Sequence, residues 1–355
     1  MRIAFYHATL PSPARAKEGG VSYVVHRLAN TLVSRGHELT VLTFDPAPDD
    51  ALYGVVRLPL ARWGEAVVGR MVLAPLLLAR PDFSRFDVMH AHGDDHFAAH
   101  KSLPWVRTFY GSARRERDSA VRLRRRLSQT ALIPLEHLSA RRADIVTGIS
   151  RDTALCIPGL DEIVPCGVDL TVFSPSKQPR SAAPSILFVG AMLGRKRGDL
   201  LLSLFREKIK LAIPEAELWI VAEQGAAEKG VRWCGKVSTE ELATLYRQAW
   251  VFCLPSSYEG FGVPYVEALA CGTPVVASPN AGAREVLDEG RFGVISRDDD
   301  LAGSLLALLR DPDARARLGA SGPVRAAAFD QNVVAARYEG IYGEAIEHRA
   351  RERTV

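Results

Sequence analysis

Short apolar runs alternate with longer helix-forming stretches twice along this chain, and no other feature restricts its fold as much. The first cycle opens with RIAFYH, PSPARAKEGG, VSYVVHRLANTLVSRG and HELTVLTF, which read as strand, loop, helix and strand. Val21, Val24, Val25, Leu28 and Leu32 recur at helical spacing, and Gly36 stands where a helix C-cap glycine belongs. Apolar strands follow at DVMHAH, WVRTFY and DIVTGIS with helix-compatible sequence between them, the pattern of a parallel sheet covered on both faces. Around GVDLTVFSPSKQPRSAAP the composition turns to Pro, Ser and Lys, as in a linker. A second cycle then runs through SILFVG, ELWIVAE, VRWCG, VFCLPS, TPVVAS and FGVIS, with helical stretches such as TEELATLYRQA between. The 355 residues exceed one comfortable core and suit two. The expected organisation is an α/β domain over 1–172, a second over 173–330 and a terminal helical segment over 331–355, each domain a doubly wound parallel sheet.

With 47% hydrophobic and 24% charged residues the composition is that of an ordinary globular protein, and a net charge of +4 says little about partners. No apolar stretch reaches the roughly 18 residues that span a bilayer, since Arg70 and Pro75 interrupt the most apolar window, VVGRMVLAPLLLAR. The N-terminal run is too short for a signal peptide. Cys156, Cys166, Cys234, Cys253 and Cys271 are odd in number and form no C-x-x-C pair, which argues against a disulfide framework or a zinc site and for a reducing cytoplasm.

Ligands of open α/β sheets bind beyond the carboxyl ends of the strands, so glycines that follow strands carry information. Gly190 and Gly194 follow ILFV, Gly260 and Gly262 follow VFCLPSSY, and Gly19 and Gly20 precede the first helix. The G-x-G-x-x-G fingerprint and the Walker phosphate loop are both missing, which disfavours a nicotinamide or flavin dinucleotide. In SSYEGFGVPYVEALACGTPVVAS, Pro264 suits the first turn of a helix and Gly272 its end, with Glu259 in the loop before it and Glu267 one turn in. Two carboxylates so placed suit a ligand with separated hydroxyl pairs, because an ionised carboxylate only accepts hydrogen bonds. Amides of Gly260, Phe261 and Gly262 add donors at a helix N-terminus. By spacing alone, a solvated glutamate beside a tight turn fits equally well.

The stretch EGFGVPYVEALACGTPVVAS resembles the E-x7-E region of the retaining glycosyltransferase family 4. The resemblance extends in order through GGVSYVVHRLANTLVSRGHELTVLT, FDVMHAHG, ADIVTGIS, VPCGVDLTVF, ILFVGAMLGRKRGDLLL and VRWCGKVSTEELATLYRQAWVFCLPS. It implies the GT-B fold, two Rossmann-like domains facing across a cleft, with NVVAARYEGIYGEAI as a helix returning to the first. It also implies roles. Glu267 would hold the ribose hydroxyls of a nucleotide sugar, and Glu259 with the Phe261 and Gly262 amides the transferred sugar. Arg195 and Lys196 of GRKRG would hold the donor pyrophosphate and, with Glu259, form the catalytic set. Gly19 and Gly20 match the family's glycine loop, and Lys236, Val237, Gly260 and Val263 complete the donor-binding residues. The physics agrees, because charge growing on a departing diphosphate can be held by paired cations without a metal. No cofactor is expected beyond the substrate nucleotide sugar, with UDP the default.

The chain departs from the family in places. Tyr110 of RTFYGS stands where the family often has histidine, and a tyrosine does not titrate near neutrality. Ala191 stands where arginine is common, leaving more of the phosphate charge to Arg195 and Lys196. His92 and Tyr110 are the acceptor-side candidates, although His90 and His92 both suit a structural role satisfying backbone groups. Asp94, Asp95 and His96 look like a metal cluster at a glance but read as a solvated loop, so no metal is assigned. Arg114, Arg115, Arg117, Arg122, Arg124, Arg125 and Arg126, beside Val121, Leu123 and Leu127, suit anionic lipid headgroups or a phosphorylated acceptor, and equally a solvated helix. Nucleic acid is disfavoured because no aromatics interleave the run. The expected activity is retaining, metal-independent transfer of a sugar to an unidentified hydroxyl acceptor, in a cytoplasmic enzyme that touches the membrane peripherally if the arginine segment binds lipid. The rivals are a nucleotide-sugar epimerase and a non-catalytic sugar-nucleotide-binding or membrane-peripheral protein.

Overall fold

The computed structural model describes residues 1–11, 20–59, 83–97, 103–120 and 122–352. Gly19, Val121 and the apolar window over 67–80 lie outside the described residues. The chain divides into two compact units, Met1–Gly167 with Gln331–Val355, and Val168–Asp330. The division falls after Gly167 and not after the expected Val172, because the Val168 amide donates to the Phe329 carbonyl at 2.9 Å and Val168 bridges Asp330. Residues 168–172 therefore belong with the second unit.

The first unit is built on seven parallel strands: β1 (Arg2–Tyr6), β2 (Glu38–Thr43), β3 (Gly54–Arg57), β4 (Val88–Ala91), β5 (Trp105–Phe109), β6 (Ile145–Gly148) and β7 (Glu162–Ile163), in the order β3-β2-β1-β4-β5-β6-β7. Apolar runs without alternation, such as β1 and the fully buried β4, suit strands covered on both faces. One face packs Phe5, Val25, Leu28 and Leu32 against Val334, Tyr338 and Tyr342 of the Gln331–Glu352 helix, so the C-terminal segment supplies core to the first unit. The other face buries Tyr6, Phe44, Met89 and Trp105. The edge strands β3 and β7 had no clear sequence signal: both are short and only partly buried, so neither needs an apolar run.

The second unit holds β8 (Ser185–Val189), β9 (Glu217–Val221), β10 (Val231–Trp233), β11 (Val251–Leu254), β12 (Val275–Ala277) and β13 (Val294–Ile295), all parallel, in the order β10-β9-β8-β11-β12-β13. Its segments are those expected from SILFVG through FGVIS. The strand order reverses between β1 and β4 in the first sheet and between β8 and β11 in the second. At such switch points the connections leave toward opposite faces and open a crevice at the carboxyl ends.

Candidate active site

The loops that leave β8 and β11 at the switch point of the second sheet bring Arg195, Lys196 and Glu259 together. Glu259 lies in the loop after β11 and is 4% exposed. Its Oε2 meets an Arg195 guanidinium nitrogen at 2.7 Å, and its Oε1 meets Lys196 Nζ at 2.7 Å. Burial alone would push the Glu259 carboxyl up, but Lys196 and Arg195 outweigh it and hold the group below the usual carboxylate range. Burial likewise brings the Lys196 ammonium down against the opposing pull of Glu259, with Glu267 adding to that pull. Both cations are therefore preorganised on one buried anion. Sequence comparison gave Glu259 to the sugar and the cations to the pyrophosphate; the structure pairs them directly with one another.

Backbone geometry makes this possible. Gly190, at φ +147°, ends β8 where a Cβ would sit 3.1 Å from Lys196 Cγ, so the missing side chain lets the lysine stem lie across the strand end. Arg195 is anchored by its own carbonyl, which accepts from the Ser257 amide at 2.8 Å, and by donating to the Tyr258 carbonyl at 2.9 Å. Gly262 caps the Val263–Ala270 helix at φ +97°, where a Cβ would collide with the Tyr265 ring at 2.4 Å. Phe261 turns its ring inward onto Phe329, with centroids 5.4 Å apart, and offers only its backbone to a ligand. Glu267, 6% exposed, sits in that helix and accepts from the Tyr246 hydroxyl at 3.3 Å. Gly260 and Val263 flank this turn and are half-buried. Lys236 and Val237 sit in the turn between β10 and the Thr239–Gln248 helix, at the far edge of the same sheet. Gly20 opens the first helix of the other unit and is exposed.

Two residues here escaped sequence reading. Arg197, at φ +53°, donates to the Pro255 carbonyl and the Ser278 hydroxyl and forms a two-nitrogen pair with Asp298 at 2.6 and 2.9 Å, tying the ends of β8, β11 and β12 together. It is the third base of GRKRG and structural where its neighbours face Glu259. Asn280 donates to the Ser256 and Ser278 carbonyls and the Tyr265 hydroxyl while its own oxygen caps the following helix. Only the folded loop gives that asparagine four partners.

In the first unit, His7, His92 and Tyr110 are the residues directly after β1, β4 and β5. His92 Nδ1 and the Tyr110 hydroxyl are 2.9 Å apart, so the two acceptor-side candidates form one pair. His90 differs: its Nδ1 meets the Tyr342 hydroxyl and its Nε2 the Thr108 hydroxyl, each at 2.7 Å, which leaves it a structural residue. Glu136, also missed, accepts from the Ala113 amide with both oxygens at 2.9 Å and so clamps the turn behind Tyr110; burial pushes its carboxyl up to about 7. The solvated loop expected at Asp94, Asp95 and His96 is a correction, since Asp95 and His96 are buried. Asp95 pairs with Arg107 at 2.9 Å and accepts from Trp105 Nε1 at 3.0 Å and the Ser139 hydroxyl at 2.6 Å. Among the described residues no group of three or more histidine, cysteine, aspartate or glutamate side chains could hold a metal ion.

The arginine-rich segment forms the helices Ala113–Ser119 and Leu123–Arg142. Arg115 pairs with Asp152, Arg117 with Asp118 and Arg125 with Glu116, whereas Arg114, Arg122, Arg124 and Arg126 have no acidic partner among the described residues. Leu123 and Leu127, one turn apart, are 70% and 64% exposed. No described helix is long and apolar enough to cross a membrane.

The family model for Glycosyltransferase Family 4 matches residues 18–172, and that for Glycosyl transferases group 1 matches residues 172–325. A phosphatidyl-myo-inositol mannosyltransferase of Mycolicibacterium smegmatis is 30% identical over 91% of this chain and 90% of its own. Among solved structures, sucrose-phosphate synthase from Thermosynechococcus elongatus aligns with a TM-score of 0.79 at 21% identity, covering 98% of this chain and 99% of that one. HepE of Anabaena, solved with UDP-glucose, aligns with a TM-score of 0.73 at 17% identity over 97% and 100%. Fold and match together define an enzyme of the GT-B glycosyltransferase class. The chain belongs to glycosyltransferase family 4.

Proposed function

We propose that this enzyme is a retaining, metal-independent transferase that moves a hexose from a nucleoside diphosphate sugar to an acceptor hydroxyl. The observation that carries the reading is the buried Glu259 gripping Arg195 and Lys196 at the switch point of the second sheet. A leaving diphosphate gains negative charge as the glycosidic bond breaks, and cations already fixed in place stabilise it without reorganising. Glu267 and the Gly260 to Gly262 backbone serve the hydroxyls of the same donor. HepE was solved with UDP-glucose, which makes UDP the first nucleotide to try.

Glu267→Ala is expected to weaken nucleotide binding by about tenfold to a hundredfold, the usual worth of hydrogen bonds to a charged group. Calorimetry with UDP and GDP measures this, and unchanged affinity would place the ribose elsewhere. The product's anomeric configuration by NMR, from reactions run in EDTA, tests retention and metal independence together.

The Mycolicibacterium relative is named for a phosphatidyl-inositol lipid, which favours a cell-envelope lipid as acceptor over a small aglycone. Exposed Leu123 and Leu127 among Arg122, Arg124 and Arg126 fit such a surface, each arginine contributing about 1 kcal/mol near anionic headgroups. Replacing these three arginines by serine should lower affinity for phosphatidylglycerol vesicles about a hundredfold. Co-sedimentation decides; equal binding to phosphatidylcholine vesicles would remove the electrostatic surface.

A further inference from the structure

Lys196 and Glu259 reach one another from the loops after β8 and β11, and a third loop holds both of those in place. It is the turn after β12, residues 278–282, which leads into the Ala281–Val286 helix. Ser278, 1% exposed, is the shared anchor: its hydroxyl accepts from Arg197 at 3.0 Å and its carbonyl accepts from Asn280 Nδ2 at 3.0 Å. Arg197 directly follows Lys196 and donates to the Pro255 carbonyl at 2.6 Å, while Asn280 Nδ2 donates to the next carbonyl, that of Ser256, at 3.1 Å. The two hydrogens of Nδ2 also serve the Tyr265 hydroxyl at 3.2 Å, whose own proton goes to the Leu254 carbonyl. The exit of β11 is thus tied at three successive carbonyls, through Tyr265, Arg197 and Asn280.

The same turn holds Glu259 at closer range. The first-turn amides of the Ala281–Val286 helix have no partner inside it, so they look outward. Ala283 N–H goes to Asn280 Oδ1 at 2.9 Å, and Gly282 N–H goes to the Glu259 carbonyl at 3.2 Å. The Glu259 backbone therefore lies against Gly282. A Cβ at 282 would stand 2.4 Å from the Phe261 carbonyl oxygen, 2.8 Å from its carbonyl carbon and 2.9 Å from Glu259 Cβ. None of those atoms is the free end of a flexible side chain, so a methyl can be seated only by moving the backbone from Glu259 to Phe261. Gly282 has no positive φ, so the position needs room rather than a glycine conformation.

We propose that Gly282 and Asn280 are positioning residues for sugar transfer: Gly282 sets the depth at which Glu259 and the Phe261 backbone sit, and Asn280 keeps that loop in register with Lys196 through Ser278 and Arg197. Gly282 acts on Glu259 through its backbone, and Asn280 acts through the carbonyl three residues earlier. Reacting groups misplaced by about 1 Å lose on the order of a hundredfold in rate, so a seat of this kind is felt at the transfer step. The assignment rests on the transferase reading above and adds two residues that work through Glu259.

The test compares Gly282→Ala and Asn280→Ser with wild type, all as the full chain, by urea denaturation, calorimetry with UDP, and release of UDP from UDP-glucose. At saturating donor Gly282→Ala should release UDP about tenfold to a hundredfold more slowly, with UDP affinity within about twofold of wild type. Asn280→Ser keeps a hydroxyl oxygen to cap Ala283 but drops the tie to the Ser256 carbonyl, so it should unfold near the wild-type midpoint and still lose about tenfold in kcat. A crystal structure of Gly282→Ala should show the backbone from Glu259 to Phe261 displaced and the 2.7 Å contact to Lys196 lengthened. Wild-type rates in both variants would overturn the assignment, as would rate losses matched by equal losses of UDP affinity. If Gly282→Ala does not fold, Asn280→Ser decides by the same split. A wild-type chain that releases no UDP from UDP-glucose speaks against the donor reading instead, and the crystal structure then decides the seat: Glu259 unmoved by the methyl sinks it.

Discussion

Lys196→Ala is expected to lower turnover by about a hundredfold or more, the scale for losing one preorganised group that stabilises transition-state charge. The lysine side chain is 17% exposed and its ammonium is held on Glu259 at 2.7 Å, so its field acts through a partly desolvated medium. Arg195 remains in the variant but is more exposed, with 43% of its side chain accessible, and its charge is better screened. On the proposed reading the loss should fall mainly on kcat, since a leaving diphosphate would carry more charge in the transition state than in the bound donor. Glu259, relieved of the cation that does most to lower it, should take up a proton more readily, because burial then has less to oppose it. Lys196→Met separates charge from packing by keeping an apolar stem over Gly190. If Met and Ala both turn over at near the wild-type rate, the cation has no catalytic part.

The second large effect concerns stability. Asp95→Ala should cost about 3–5 kcal/mol, because it strips the counter-ion from a buried arginine. Arg107 and Asp95 have side-chain exposures of 8% and 2%, and the guanidinium lies 4.2 Å from the Phe109 ring centre with its Nη1 donating to both the Ala91 and Thr108 carbonyls. Burial leaves the guanidinium poorly solvated once the carboxylate is gone. Asp95→Asn keeps an oxygen for Trp105 and should recover part of the loss. Urea denaturation of the full chain measures both. A midpoint for Asp95→Ala close to wild type would show that the pair is neutral to the fold. The pair also joins the loop after β4 to β5, the two elements that carry His92 and Tyr110, so a destabilised variant that still folds should show a raised acceptor KM.

Most of the fold was legible because strand and helix periods are local. Helical spacing from Val21 to Leu32, the glycine at 36 and the second run of apolar segments each state their element without reference to anything distant. The edge strands β3 and β7 were not, since half-exposed strands of a few residues need no apolar signature. The donor-side candidates were legible through motif, because Gly262 and the GRKRG run announce a special backbone and a charge. Asp95 was misread for the opposite reason. An acidic dipeptide in a polar loop looks solvated until Arg107, Trp105 and Ser139, from other parts of the chain, close around it.

By itself the sequence determined two doubly wound sheets and the glycines at their strand ends, and it named candidate residues for a sugar and a diphosphate. The tertiary structure alone decided that Glu259 sits on Arg195 and Lys196, that Arg197 is a staple and that His90 is sated. The reason is strand order. Periodicity fixes each strand, but which strand ends become neighbours is set by crossovers and packing summed over the whole unit, and chemistry between distant residues exists only once those neighbours are chosen.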